Sequence, residues 1–482
     1  MLVTSHTHSA VDNVLGLCVK AGLDVLRVGR ASAAAPALRP YTIEGLLEGQ
    51  QQGSGSSSSS SGSGSEDAAG ASLELLTARL ASAQVVGVTC LGIRHALFAR
   101  RTFDVCIVDE ASQIPEPVCL GPLRASRLFI LVGDHAQLPP LVVSPAARQG
   151  GMGVSLFQRL ADAHPAAVQQ MTLQYRMNAD IQSLSNLLMY GGRLQCGSEA
   201  VGGGRYAAPG WVEAGQRIQR AVAEEGGAGG AAAQQQHWLV RAMAESTTVM
   251  FLDTDGDGSG SGSSSSSSPA YTWWESRTTS TFEPAAAAGS SSSAAPPPPP
   301  KGSERGQMEN RMEAALVVTY VLALLAAGSA GEDIGVISPL RAQLRLMRRV
   351  LTAAAARAGL AAAAAAVELD TVDRFQGRDK RVIVMSMVRS NGGGEVGSVL
   401  GDVRRLNVAV SRAKHKLLLV GSGSTLAAGA EPLAQLLGLV RGRGWWVGLG
   451  LGAAGDAGLG VALPGGLGRE VWEALRPSPW RG

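Results

Sequence analysis

DVCIVDE (104–110) decides the fold. The apolar run Val105, Cys106, Ile107 and Val108 ends on two adjacent carboxylates, Asp109 and Glu110. An uninterrupted apolar run suits a strand buried on both faces, as in a parallel sheet. Open α/β sheets bind their ligands at the carboxyl ends of the strands, where these acids stand. RLFILVGD (127–134) repeats the pattern, closing on Gly133 and Asp134. Two such runs in succession predict an α/β domain with a parallel sheet.

Working outwards, residues 9–21 place Val11, Val14, Leu15, Cys18 and Val19 on one helical face, followed by a short strand over 24–28. A helix over 72–83 and the strand QVVGVT (84–89) complete this half. A second α/β pattern begins at a helix over 308–327. It continues through EDIGVISP (332–339), a basic helix (340–357), VELDTVDRF (367–375), RVIVMSMVR (381–389), a short helix (406–414) and KLLLVGS (416–422). Gly/Ser runs at 53–65 and 256–268, and an Ala/Ser/Pro run at 285–300, cannot bury enough apolar surface to offset the entropy of ordering. They predict disordered inserts, so that two compact domains remain of the 482 residues.

The net charge of +3 neither requires nor excludes a nucleic-acid partner. The five cysteines show no CxxC pair and no zinc spacing, which suggests buried thiols in a reducing compartment. The Ala-rich run 353–366 is too weakly apolar to span a bilayer, and no signal peptide is legible, so a soluble intracellular protein is expected.

Five stretches carry chemistry. In CIVDEASQ (106–113), Asp109 is placed to hold a nucleotide-bound Mg²⁺ through water, and Glu110 to orient an attacking water. Alone, such a pair is also what two solvated loop acids look like. In LVGDHAQLPPLV (131–142), Gln137 follows a tight turn stiffened by two prolines and is placed to sense a γ-phosphate. MTLQYRMNADI (171–181) carries Arg176, whose guanidinium suits a phosphate, although a surface arginine would read the same. In ELDTVDRFQGRDK (368–380), Gly377 lets backbone approach a ligand. In RRLNVAVSRAKHKLLLVGS (404–422), Arg412 suits an arginine finger.

Taken in order, THSAVDN, VGVTCLGI, VDEASQ, VGDHAQLPP, QYRM, VISPLRAQ, TVDRFQGRDK and LNVAVSRAK resemble the motifs of Upf-like superfamily 1 helicases. TSHTHSAVDN, TCLGIRHALF and FDVCIVDEASQIPEPVCLGPL bring the match towards the replicative helicase–nucleases of that group. The resemblance covers roughly 1–30, 84–200 and 305–425. It implies two RecA-like P-loop NTPase domains with parallel sheets, the first incomplete: motor domain 1 over 1–30 and 84–200, motor domain 2 over 305–425. Low-complexity inserts would occupy 31–83 and 201–304, and a Gly-rich tail 426–482.

By the same resemblance, ATP and Mg²⁺ bind between the domains. Asp109 and Glu110 are the Mg²⁺ and water-activating acids, with Gln137, Arg176 and Arg412 as further catalytic groups. Gln137, Arg176, Glu313, Gly377, Asp379 and Arg412 contact the nucleotide, although many relatives have Glu at the position of Asp379. Ser5, His8, Thr89, Pro339 and Thr371 contact the single strand. The implied activity is ATP-driven 5′ to 3′ DNA unwinding in replication and repair, in the nucleus and also the mitochondrion. Expected partners are single-stranded, flap or forked DNA and the single-strand-binding protein of the replication machinery. An RNA helicase of nonsense-mediated decay and a non-catalytic nucleic-acid-binding remnant are the alternatives.

The sequence also departs from that pattern. It contains no G-x-x-x-x-G-K-[ST]. MLVTSHTHSAVDNVL (1–15) reads as the inside of a domain. An upstream P-loop is therefore expected, together with a nuclease part holding an iron–sulfur cluster. Without the P-loop lysine and backbone nest, hydrolysis by these 482 residues alone is expected to be lost or very slow.

Overall fold

The computed structural model describes residues 1–53, 77–99, 101–225, 237–255, 275–278 and 307–449. Most of the Ser/Gly run 53–65 and all of 256–268 and 285–300 lie outside the described residues, as does the tail from 450 onwards. The chain divides into two units, Met1–Gln170 and Met171–Gly482.

The first unit is built on a five-stranded parallel sheet. Its strands are β1 (Leu2–Ser5), β2 (Val25–Arg27), β3 (Val85–Thr89), β4 (Phe103–Val108) and β5 (Ser126–Leu131), in the order β2-β3-β1-β4-β5. β1 is buried along its whole length and pairs with both β3 and β4. The helix His8–Lys20 follows it, started by Thr7, whose hydroxyl accepts from the Ala10 amide. Its buried residues Val11 and Leu15 pack with Val3, Val25 and Val85.

Two expectations change here. RLFILVGD was read as a strand buried on both faces, yet β5 is the sheet edge, with Leu128 55%, Phe129 46% and Ile130 48% exposed. Among the described residues no strand pairs with its outer side. Residues 31–53, read as low-complexity insert, instead fold into two short 3-10 turns and the helix Ile43–Gly53. Leu38 is buried against β2 and β3 residues, and Thr42 bridges to Arg27.

The second unit opens with the short strands β6 (Leu173–Gln174) and β7 (Gln195–Cys196). QYRM was placed in the first domain by sequence, but it belongs to this unit. The reason is local. Asn178 donates through Nδ2 to His415 O (2.8 Å), and its own amide donates to Lys414 O (2.9 Å), while its Oδ1 caps the helix Ala179–Ser185. The remaining strands are β8 (Val249–Asp253), β9 (Glu275–Thr278), β10 (Gln307–Asn310), β11 (Ile334–Ile337), β12 (Glu368–Asp370), β13 (Lys380–Ser386), β14 (Ala413–Gly421) and β15 (Trp446–Gly448). β9 and β10 form an antiparallel pair. The other six make a parallel sheet in the order β12-β11-β13-β14-β8-β15.

β8 and β15 fall in the stretches read as insert and tail. β8 (VMFLD) is wholly buried and closes one side of β14. The helix Glu431–Gly442 buries Leu433, Leu436, Leu437 and Val440 and leads into β15. The helix expected over 308–327 runs over Arg311–Ala326 and is buried on nearly every side, as its predominantly apolar sequence requires. The expected 406–414 helix is Val403–Val410, so Arg412 stands in the turn before β14. VELDTVDRF is a strand only as far as Asp370, after which Val372–Phe375 is helical. No helix of the described residues is long and apolar enough to cross a membrane.

One buried charge braces this unit. Lys416 on β14 is 2% exposed, and its Nζ donates to Ala242 O (3.0 Å), Ala244 O (2.7 Å) and Thr247 O (2.6 Å). Burial pulls its ammonium down to about 7. Three carbonyl acceptors, however, call for three N–H donors, which only the charged form has, so the geometry favours the ammonium. Lys416→Met would strand three carbonyls in the interior. It is expected to destabilise the unit by about 3 kcal/mol or more in denaturant titration. A loss below about 1 kcal/mol would show that water replaces the ammonium.

Candidate functional site

In the first unit the loops after β4 and β5 interlock. The Asp109 amide donates to Thr4 O (2.8 Å) on β1, and the Ala111 amide to Val132 O (2.8 Å). Between them Glu110 takes a left-handed φ of 55°, a conformation rare outside glycine. Its Oε2 accepts from Gln113 Nε2 at 2.6 Å. From the β5 side, Asp134 N donates to Ser112 Oγ (3.3 Å), and Gln137 Nε2 donates to Asp134 Oδ2 (3.1 Å). Gly133 is required at the crossing, since a Cβ there would lie 2.9 Å from Ser112 N. The fold thus brings Asp109, Glu110 and Gln137 to one loop cluster. Burial pushes the Asp109 carboxyl above the usual carboxylate range, so it gains from a nearby cation.

The five residues expected on the single strand divide between the units. Ser5, His8 and Thr89 stand at or just beyond the carboxyl ends of β1 and β3. Ser5 is fully buried, its Oγ without a hydrogen-bond partner, so it offers a strand no side-chain contact in this conformation. Thr89 Oγ1 accepts from Gly92 N (3.3 Å). His8 is exposed, and its Nδ1 lies 2.8 Å from Arg27 Nη2. Arg27 is itself buried and paired with Asp12 (2.7 Å), whose other oxygen accepts from Ala35 N. A guanidinium has only donors, so Nδ1 accepts and the His8 proton sits on Nε2. Sequence reasoning missed Arg27 and Asp12, although an arginine inside the strand VLR was the available signal. In the second unit Pro339 follows β11, and Thr371 follows β12 with a hydroxyl that makes no capping bond.

At the opposite, amino edge of the second sheet, Asp379 stands just before β13 and gathers two cations. Arg176 Nε lies 3.1 Å from Oδ2, and Lys414 Nζ lies 2.6 Å from Oδ1. All three side chains are partly exposed. Gly377, at φ +76°, turns the chain two residues before Asp379, with open space where a Cβ would stand. Lys414 was not singled out by sequence, although it lies two residues beyond Arg412. Arg412 is only 2% exposed, and it donates to Val408 O (2.9 Å), Ser411 Oγ (2.9 Å) and Arg378 O (3.4 Å). It therefore joins the cluster through the backbone of Arg378 rather than as a projecting finger. Glu313 does not join it. Its carboxylate is fully buried and accepts from Ser386 Oγ (2.6 Å), Val388 N (2.7 Å) and Asn310 Nδ2 (3.2 Å), which encloses the group expected to contact nucleotide.

Among the described residues no group of three or more His, Cys, Asp or Glu could hold a metal ion. A nucleotide-bound Mg²⁺ needs only one or two carboxylates besides phosphate oxygens, and the Asp109 carboxylate is of the kind that could serve it through water.

The family described as an AAA domain matches residues 152–424, and a second domain of the same description matches residues 58–145. The mouse DNA replication ATP-dependent helicase/nuclease DNA2 is 40% identical over 426 residues, 88% of this chain and 33% of that protein. The human protein of the same name is 38% identical over 437 residues (91% and 34%), and that of Saccharomyces cerevisiae 34% over 447 residues (92% and 24%). The chain therefore spans about a third of these relatives or less. Among solved structures, an arterivirus nonstructural protein 10 helicase with DNA overlays at a TM-score of 0.35 and 12% identity, covering 91% of this chain and 56% of that one.

Although the side chain is exposed, partial desolvation of the ring against its neighbours, and then the adjacent Arg27, hold the His8 imidazole below its usual 6.5. The unfolded chain consequently takes up this proton first. The contribution of His8 to stability is intact above about 6.5 and is lost as pH falls through the lowered value. In a histidine-resolved NMR titration His8 is expected to have its midpoint below 6.5, and a midpoint above it would contradict the Arg27 contact.

Proposed function

The chain belongs to the AAA-domain helicases of the Upf-like superfamily 1 group, and on that premise we propose that it is the motor part of an ATP-driven 5′ to 3′ DNA helicase–nuclease. The observation that carries this is the interlocked pair of loops after β4 and β5, which sets Asp109 and Glu110 beside Gln137. Superfamily 1 motors divide their work in this way: an acid for Mg²⁺, an acid for water and an amide that senses the phosphate.

In this reading Asp109 holds the cation through water. The bend at Glu110 aims its carboxylate for the attacking water, and Gln137 reports on the γ-phosphate. The second unit supplies the positive charge. Asp379 keeps Arg176 and Lys414 side by side, and a phosphate with its greater charge would take both cations over from the carboxylate. His8, Thr89, Pro339 and Thr371 hold a single strand by its backbone, which gives little sequence preference. Single-stranded, flap or forked DNA is the proposed partner, together with the replication single-strand-binding protein. The nucleus is the proposed site of action, with the mitochondrion as a further compartment. Any iron–sulfur cluster belongs to a nuclease part outside these residues. The exposed apolar edge of β5 suits one more parallel strand, and a P-loop strand is the natural occupant.

Because the 482 residues contain no G-x-x-x-x-G-K-[ST], they are expected to bind single-stranded DNA but to hydrolyse ATP slowly or not at all. The test measures single-strand affinity and DNA-stimulated phosphate release on the same preparation. Robust stimulated turnover would overturn the hydrolysis claim. Stronger binding and stimulation by RNA would favour an RNA helicase. Binding that ignores nucleotide in a chain carrying a P-loop would favour a non-catalytic remnant.

A further inference from the structure

RAQLRLMRRVLTAAAAR (341–357) forms the helix Arg341–Arg357 after β11, and it carries five arginines and no acid. One face is buried, with Leu346, Met347, Val350 and Ala354 in the core of the unit. Arg341, Arg345, Arg348 and Arg349 are all exposed. At 3.6 residues per turn they fall within one band about 100° wide. The band is confined to about 12 Å at the start of the helix.

This arrangement does not serve the helix itself. Arg341 and Arg345, and again Arg345 and Arg349, are like charges four residues apart, which oppose helix formation. Arg341 also stands in the first turn, where the helix dipole prefers an acid. That turn holds no acid, and Leu340 at the cap supplies no side-chain acceptor. Arg357, in the last turn, stands by contrast where the dipole favours a cation.

The acids on the elements packed against this helix are engaged with other groups. Those elements are β10, β12 and the helices Arg311–Ala326 and Ala361–Ala365. Ala361–Ala365 carries no charge. Glu313 is sealed inside its own hydrogen bonds, and Glu309 on β10 lies 3.7 Å from Arg311. On β12, Glu368 holds Arg378 and Lys380, and Asp370 accepts from Thr371 N (2.9 Å). The arginine face therefore keeps a net positive charge.

Its place in the fold points to an occupant. Pro339 precedes Arg341 by two residues, and Thr371 follows β12, the strand beside β11. Arg348 Nη2 donates to Leu369 O (2.8 Å), which ties the face to the strand leading into Thr371. The face thus begins at the sheet edge where single-strand contacts are proposed. Four guanidinium groups drawn out along about 12 Å make a line rather than a point, which suits a chain of phosphates better than a lone anion.

We propose that Arg341, Arg345, Arg348 and Arg349 form a phosphate track, along which the backbone of the bound single strand runs on from Pro339. The inference rests on the strand-binding reading of Pro339 and Thr371, which it extends beyond the sheet edge. Contacts of this kind set affinity and carry little sequence information.

The test is the salt dependence of affinity of the 482-residue chain for a single-stranded oligothymidylate. Each phosphate contact to a single strand contributes about 0.7 to the slope of log affinity against log salt. The variant Arg341→Gln/Arg345→Gln/Arg349→Gln leaves the Arg348 anchor in place and keeps good helix formers. Its slope is expected to be shallower by about 2, with affinity about tenfold or more weaker at 0.1 M salt. Its melting temperature should be unchanged or raised, because like charges have been separated. The pair Arg341→Gln/Arg349→Gln should show about two-thirds of the change in slope. Arg217→Gln/Arg220→Gln/Arg357→Gln removes as much charge from exposed positions outside the band and should keep the original slope. An unchanged slope in the first variant, or an equal loss in this control, overturns the track. Failure of the unaltered chain to bind the oligonucleotide overturns instead the reading on which it rests.

Discussion

Parallel pairing is the constraint on which the rest of this structure depends. A parallel strand must be followed by a crossover, so all strands of a sheet end on the same edge. In the first unit that edge gathers Ser5, Thr89, Asp109 and the Gly133–Gln137 loop from four strands distant in sequence. In the second it gathers Pro339, Thr371 and Val388, while the amino edge gathers Asp379 and Lys414. The two left-handed residues, Glu110 and Val388, show where backbone conformation is forced at those edges. Each is held from a neighbouring strand or helix: Glu110 between the Thr4 and Val132 carbonyl contacts of its flanking residues, Val388 by Glu313 and Asn310.

Much of this was legible in the sequence because apolar runs ending in polar turns mark buried parallel strands. VDEASQ, VGDHAQLPP, VISPLRAQ and the helix before β11 fell where their patterns placed them. β8 and β15 were not legible. VMFLD is short and lies between Gln- and Ser-rich tracts, and its burial comes from β14, more than 160 residues away. WVG carries little pattern of its own, and it is held by pairing with β8. The transfer of QYRM to the second unit turns on one side chain, Asn178, which bonds to the backbone of β14. No local periodicity encodes such a contact.

Buried polar groups were the least legible part, for the same reason. Arg27 and Lys416 look in sequence like ordinary surface charges, and Glu313 was expected on the nucleotide. In the fold they are interior donors or acceptors with two or three partners each, so removing any one strands the others. Their common effect is to fix an edge. Arg27 sets the tautomer of His8, Lys416 ties β14 to the turn before β8, and Glu313 holds the turn after β13. The proposed reacting groups could be read from motif order. The groups that aim them could be read only from the packed structure.

The central proposal is that single-stranded DNA is contacted at the carboxyl edge of each sheet, while nucleotide phosphate meets the amino edge of the second. Hydrogen exchange of the 482-residue chain with and without a single-stranded oligodeoxynucleotide tests this most directly. The account predicts slowed exchange just beyond β1, β3, β11 and β12, and no change around Asp379 and Lys414. Protection confined to the Asp379 cluster, or absent from the ends of these strands, would contradict it.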